Sequence, residues 1–101
     1  MKNRKTEATA TELIPADGRR SFYGKAKALR ADDGWTYLLS YDTVMCRARD
    51  GKVERLSGYE SATTARHLRS FLRSFGPGKM TTKEFYGLPL KDGPVVLVKT
   101  A

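Results

Sequence analysis

Arg66, Arg69 and Arg73 recur three and four positions apart, the spacing that lines side chains along one edge of an α-helix. Guanidinium groups in such a row carry planar, paired donors that match phosphate oxygens bidentately, so the chemistry on offer is anion binding. The competing account is a solvated face whose arginines pair with Glu54, Glu60 or Asp50 for well under about 1 kcal/mol each. A second set of cations, Lys25, Lys27, Arg47, Arg49 and Arg55, falls near Trp35 and Tyr37. Cations reach phosphates or guanine edges, and rings stack on exposed bases. Alternation leaves open whether these charges and rings share a face; Trp35, Tyr37 and Leu39 read rather as a core stripe, which leaves the cations as the candidates. Helix and sheet thus offer two alternative binding surfaces.

Catalytic and metal chemistry find little support. Cys46 is the only cysteine and His67 the only histidine. Zinc needs three or four ligands, and a Cys-His nucleophile needs an orienting carboxylate and an oxyanion pocket. His67 falls off the apolar stripe and reads as a surface or loop-bonded histidine, while Cys46 alternates in phase with Val44 and Ala48 as a small core residue does. Asp32, Asp33, Asp42 and Asp50 all fall in turns, where Asp bonds its own backbone. Gly76-Pro77-Gly78 ends a helix, whereas a phosphate loop must begin one. The expectation is no enzyme, no cofactor and no metal.

The chain of 101 residues, 40% hydrophobic and 10% aromatic, has material for one core and one domain. Lysine and arginine number 19 against 11 acids, a formal +8. The balance is 5 against 3 in residues 1–20, 7 against 6 in 21–60 and 7 against 2 in 61–101, so the excess follows the arginine row. A field of this sign draws anions, of which nucleic acid is the commonest large one in a cell. No apolar run is long enough to cross a bilayer, Met1 to Ile14 is unlike a signal peptide, and one cysteine forms no internal disulfide. A cytoplasmic location is expected.

The elements that must position these groups are legible in outline. Residues 1–20 mix Lys, Arg, Thr, Glu and Ala and end in the turn-like Pro15-Ala16-Asp17-Gly18, which reads as a flexible basic lead-in. Its Lys2, Arg4, Lys5, Arg19 and Arg20 offer a basic arm, or simply a solvated tail. From Ser21 the period is two, and Asp32-Asp33-Gly34 turns into a strand through Trp35, Tyr37, Leu39 and Tyr41. Val44 to Arg49 and Lys52 to Leu56 follow, joined by Asp50-Gly51, a strong hairpin signal. Ser61 has the oxygen an N-cap needs and Gly76-Pro77 stops the helix, which gives limits of 61 and 75. Ala65, Leu68, Phe71, Leu72 and Phe75 share its apolar side. Thr81 and Glu84 have capping-box spacing for a short helix at about 82–86, and Pro94 to Lys99 reads as a last strand of unreadable position.

Ser21-Phe22-Tyr23-Gly24-Lys25-Ala26, Leu39-Ser40-Tyr41-Asp42-Thr43, Tyr59, Ser61-Ala62-Thr63-Thr64, Arg66-His67 and Phe71-Leu72 together resemble a family of small uncharacterised bacterial domains found in phage, plasmid and other mobile-element settings. The likeness runs from about residue 21 to 90. It implies a context and a fold unit, and it assigns no catalytic residue. The topology is also similar to the sheet-reading DNA-binding domains of plant transcription factors and some integrase arms, by analogy alone.

The expected structure is therefore α+β: a flexible segment over 1–20, then a single domain over 21–101, in which a four- to five-stranded antiparallel meander is covered by the helix at 61–75. The expected function is nucleic-acid binding, DNA rather than RNA, or regulation as a non-enzymatic accessory. The alternative is an adaptor or inhibitor that docks on an acidic protein surface.

Overall fold

The computed structural model describes residues 4–16, 18 and 22–99. Six strands and two helices follow in the order β1 (Lys5–Glu12), β2 (Ala26–Ala31), β3 (Thr36–Ser40), β4 (Thr43–Arg49), β5 (Lys52–Arg55), α1 (Ala62–Phe75), α2 (Thr82–Tyr86) and β6 (Val95–Lys99). One sheet runs β5-β4-β3-β2-β1-β6. The pairs from β1 to β5 are antiparallel, and β6 joins β1 in parallel. The class is α+β as expected, but the sheet has six strands and is mixed.

Two expectations are corrected here. Residues 5–12, read as a loose lead-in, form β1 and lie between β2 and β6. Their signal is weak because the side chains buried there, Thr6 and Ala8, are small. Asp32 secures the strand by accepting Thr6 Oγ1 at 2.7 Å and the Glu7 amide at 3.2 Å. The expected strand from Ser21 begins only at Ala26, because Tyr23 and Gly24 have φ of 55° and 76° and form a turn closed by Lys25 N donating to Phe22 O at 3.0 Å. Lys2, Asp17, Arg19, Arg20 and Ser21 lie outside the described residues.

The Asp50-Gly51 turn has both residues at positive φ, 52° and 75°, as a two-residue hairpin of this twist requires. It sets Arg49 opposite Lys52 and Arg47 opposite Glu54. The helices also end where their caps dictate. Ser61 Oγ accepts the Thr64 amide at 3.0 Å, and Thr81 with Glu84 completes a reciprocal capping box.

One face of the sheet meets α1. Leu68, Phe71 and Leu72 pack with Phe85 of α2 onto Ala26, Leu38, Cys46 and Ala48, so the helix is the lid that its apolar stripe suggests. The opposite face carries a smaller cluster around Ala8, Leu29 and Tyr37. Leu29 and Tyr37 are fully buried there although no helix covers them. Their cover follows from chain connectivity. Leu90 bridges Arg55 on β5, and the Val95 amide bonds Arg4 O at 2.9 Å at the other edge. That link spans at most about 18 Å fully extended, whereas a flat sheet of this size is about 24 Å from edge to edge. The sheet must therefore roll, and the rolled wall with the 91–94 link encloses the second cluster.

Candidate nucleic-acid interface

The arginine row behaves as its spacing suggests. Arg66, Arg69 and Arg73 line one cleft of about 130 Å³ together with Ala16 and Ser70. Ser70 Oγ accepts the Ala16 amide at 3.0 Å, which holds the segment after β1 beside the helix. Arg69 and Arg73 are exposed and, among the described residues, form no ion pair. Arg66 is half-buried, its guanidinium carbon 4.6 Å from the centre of the Phe22 ring. Among the described residues no acid lines the cleft.

A second group of residues adjoins the row through a chain of ring contacts. Phe22 packs edge-on to His67 at 4.6 Å, and Tyr41 lies 5.6 Å from the same imidazole. Lys25 Nζ stands 6.0 Å from the centre of the Tyr41 ring, and Lys25 O accepts the Tyr41 amide at 2.7 Å. Lys25 therefore belongs with the helix arginines rather than with the strand cations.

Of the remaining sheet cations, Arg47 and Arg55 are held by internal partners. Arg47 gives Glu54 Oε1 a hydrogen bond at 2.8 Å and an ion pair at 2.7 Å. It also donates to Tyr37 Oη at 3.2 Å and stacks on Trp35 at 4.3 Å. Tyr37 in turn donates to Asp33 Oδ2 at 2.6 Å. Arg55 donates to Tyr86 O at 2.8 Å and Leu88 O at 2.9 Å, so it caps the C-terminal carbonyls of α2, where a cation is favoured. As phosphate contacts, Arg47 and Arg55 are thus set aside, because breaking these partnerships would leave half-buried acceptors unpaired. Arg49 is exposed and lies 4.7 Å from the Trp35 ring. Lys27 is half-buried and level with Glu12. Both sit on the sheet face away from α1. The register imposed by Asp50-Gly51 was the signal that Arg47 faces Glu54.

His67 is corrected too. It is 1% exposed, with Nδ1 2.9 Å from Ser40 Oγ, which lies 3.1 Å from Thr64 Oγ1. Burial first, and then the Arg66 charge, hold its pKa below the ordinary histidine value. A serine beside a histidine suggests a nucleophile and base, but Ser40 is only 2% exposed, and neither group has a carboxylate partner. The trio closes a polar gap between α1 and β3. Burial pushes the Cys46 thiol up, away from thiolate chemistry. Among the described residues no three His, Cys, Asp or Glu side chains converge on a metal-sized site, and no helix is long and apolar enough to cross a membrane.

Neither the curated proteins nor the solved structures contain a match to this chain. A family model matches residues 10–87, from the end of β1 through α2, and takes in both the arginine row and the Lys25–Tyr41 corner. The chain thus belongs to a family of unknown function (DUF8033).

Proposed function

We propose that this protein is a small, non-enzymatic nucleic-acid-binding or regulatory accessory of the mobile-element kind, working in the cytoplasm and holding its ligand through phosphate contacts from α1. The observation that carries the reading is the cleft that Arg66, Arg69 and Arg73 line together along one edge of α1. Three guanidinium groups on one helix edge can grip successive phosphates, and the formal +8 of the chain steers polyanions toward them. The mobile-element setting rests on the sequence resemblance alone.

Replacing Arg66, Arg69 and Arg73 together by Gln tests the reading. Binding of labelled DNA oligonucleotides should weaken by tenfold or more, with the thermal melt of the domain unchanged. Undiminished binding would move the contact to Arg49 and Lys27 on the far side of the sheet.

A second reading, a protein-interaction module, has one observation in its favour. The edge strand β6 exposes Val95, Leu97 and Val98, and an unpaired apolar edge invites strand addition by a partner. Absence of oligonucleotide binding even in low salt would favour it, whether the partner adds a strand or presents an acidic surface to the arginines.

A further inference from the structure

Tyr23 and Tyr41 stand where tyrosine is least expected. Each is the first central residue of a tight turn, with φ of 55° and 54°, a left-handed backbone that Gly, Asn and Asp adopt readily and that bulky L-residues avoid. Among the described residues, the remaining non-glycine residue of this kind is Asp50, which is the ordinary occupant of such a position. Burial does not compensate, because Tyr23 is 67% exposed and Tyr41 45%. Two large rings are thus left largely in solvent on a costly backbone, Tyr41 with one side against His67, a pattern that points to a role at the surface.

Their surroundings indicate the ligand. Lys25 follows Tyr23 by two residues and stands 6.0 Å from the Tyr41 ring. Tyr41 and Phe22 both rest against His67, and Phe22 carries Arg66, so the Tyr41 ring borders the arginine row, and Tyr23 follows Phe22 directly in the chain. Exposed aromatics beside a cationic track are what single-stranded nucleic acid requires, since bases stack on rings while cations hold the backbone. In a duplex both faces of each base are already taken by its neighbours, which leaves none for tyrosine.

Building on the phosphate-binding reading above, we infer that Tyr23 and Tyr41 are stacking platforms for unpaired bases, and that the nucleic acid bound is single-stranded. Fluorescence anisotropy with a labelled single-stranded oligonucleotide and its hairpin duplex, at equal salt, tests this. The single strand should bind at least tenfold tighter. Tyr23→Asn and Tyr41→Asn should each weaken single-strand binding by on the order of five- to tenfold and leave duplex binding by the folded variants intact, because Asn suits the left-handed turn. Tyr→Phe at either position should retain affinity. Equal binding of the two forms, or Asn variants that bind single strands as wild type does, would overturn the stacking inference while leaving phosphate binding standing. Failure of wild type to bind either form would overturn both.

Discussion

His67 Nδ1 lies 2.9 Å from Ser40 Oγ inside the seam between α1 and β3. Phe22, Tyr41, Thr64 and Arg66 surround the imidazole, and none of them is an anion that would favour its charged form. As pH falls below about 6.5, the unfolded chain takes up a proton that the folded chain refuses, so folding loses stability on acidification in that window. Urea titrations at pH 7.5 and 5.5 should show the loss. His67→Gln should remove most of this slope.

Tyr37 gives the alkaline counterpart. Burial, reinforced by its bond to Asp33, pushes the phenol up to about 12. A group with a raised folded value stabilises fully below its unfolded value, near 10, and that contribution disappears as pH climbs toward 12. Ultraviolet titration should reveal a phenolate forming near pH 12 that is missing in Tyr37→Phe. That variant should also cost about 1–2 kcal/mol, because Asp33 and Arg47 each lose a partner.

How far the chain can be read without coordinates depends on where its signals are local. Ser61, Gly76, Thr81 and Asp50-Gly51 act on neighbouring backbone, and each element end they mark is where it was expected. Strand β1 escaped because Thr6 and Ala8 carry little hydrophobic signal and their burial comes from β2 and β6, distant in sequence. His67 was misread because a helical wheel ranks residues by polarity, whereas a facing hydroxyl, Ser40, makes a polar position buried. In Arg47 and Arg55, type and alternation alone do not distinguish a ligand-binding cation from a clamp. The row at Arg66, Arg69 and Arg73 was readable because helical spacing alone brings it together.

Arg55 should matter to folding and not to ligand. Arg55→Met removes the bonds to Tyr86 O at the end of α2 and to Leu88 O just beyond it and should cost about 2 kcal/mol. Hydrogen exchange should show the loss of protection concentrated in Thr82–Tyr86. Affinity for oligonucleotides should be unchanged in the folded variant, which separates this arginine from those on α1.

The lid itself is tested by truncation. Leu68 and Phe71 are both 0% exposed, and replacing either by Ala should cost roughly 2–5 kcal/mol through lost contacts and the cavity left behind. A loss much below that in denaturant unfolding would mean that α1 does not close the core.

The salt dependence of single-strand affinity probes phosphate gripping by α1 most directly. Each phosphate contact contributes about −0.7 to the slope of log K against log salt. Wild type should give a steep negative slope, and the variant with Arg66, Arg69 and Arg73 replaced by Gln should give one shallower by about 2, the sum of three such contacts. An identical slope in the two proteins, or affinity indifferent to salt, would contradict it.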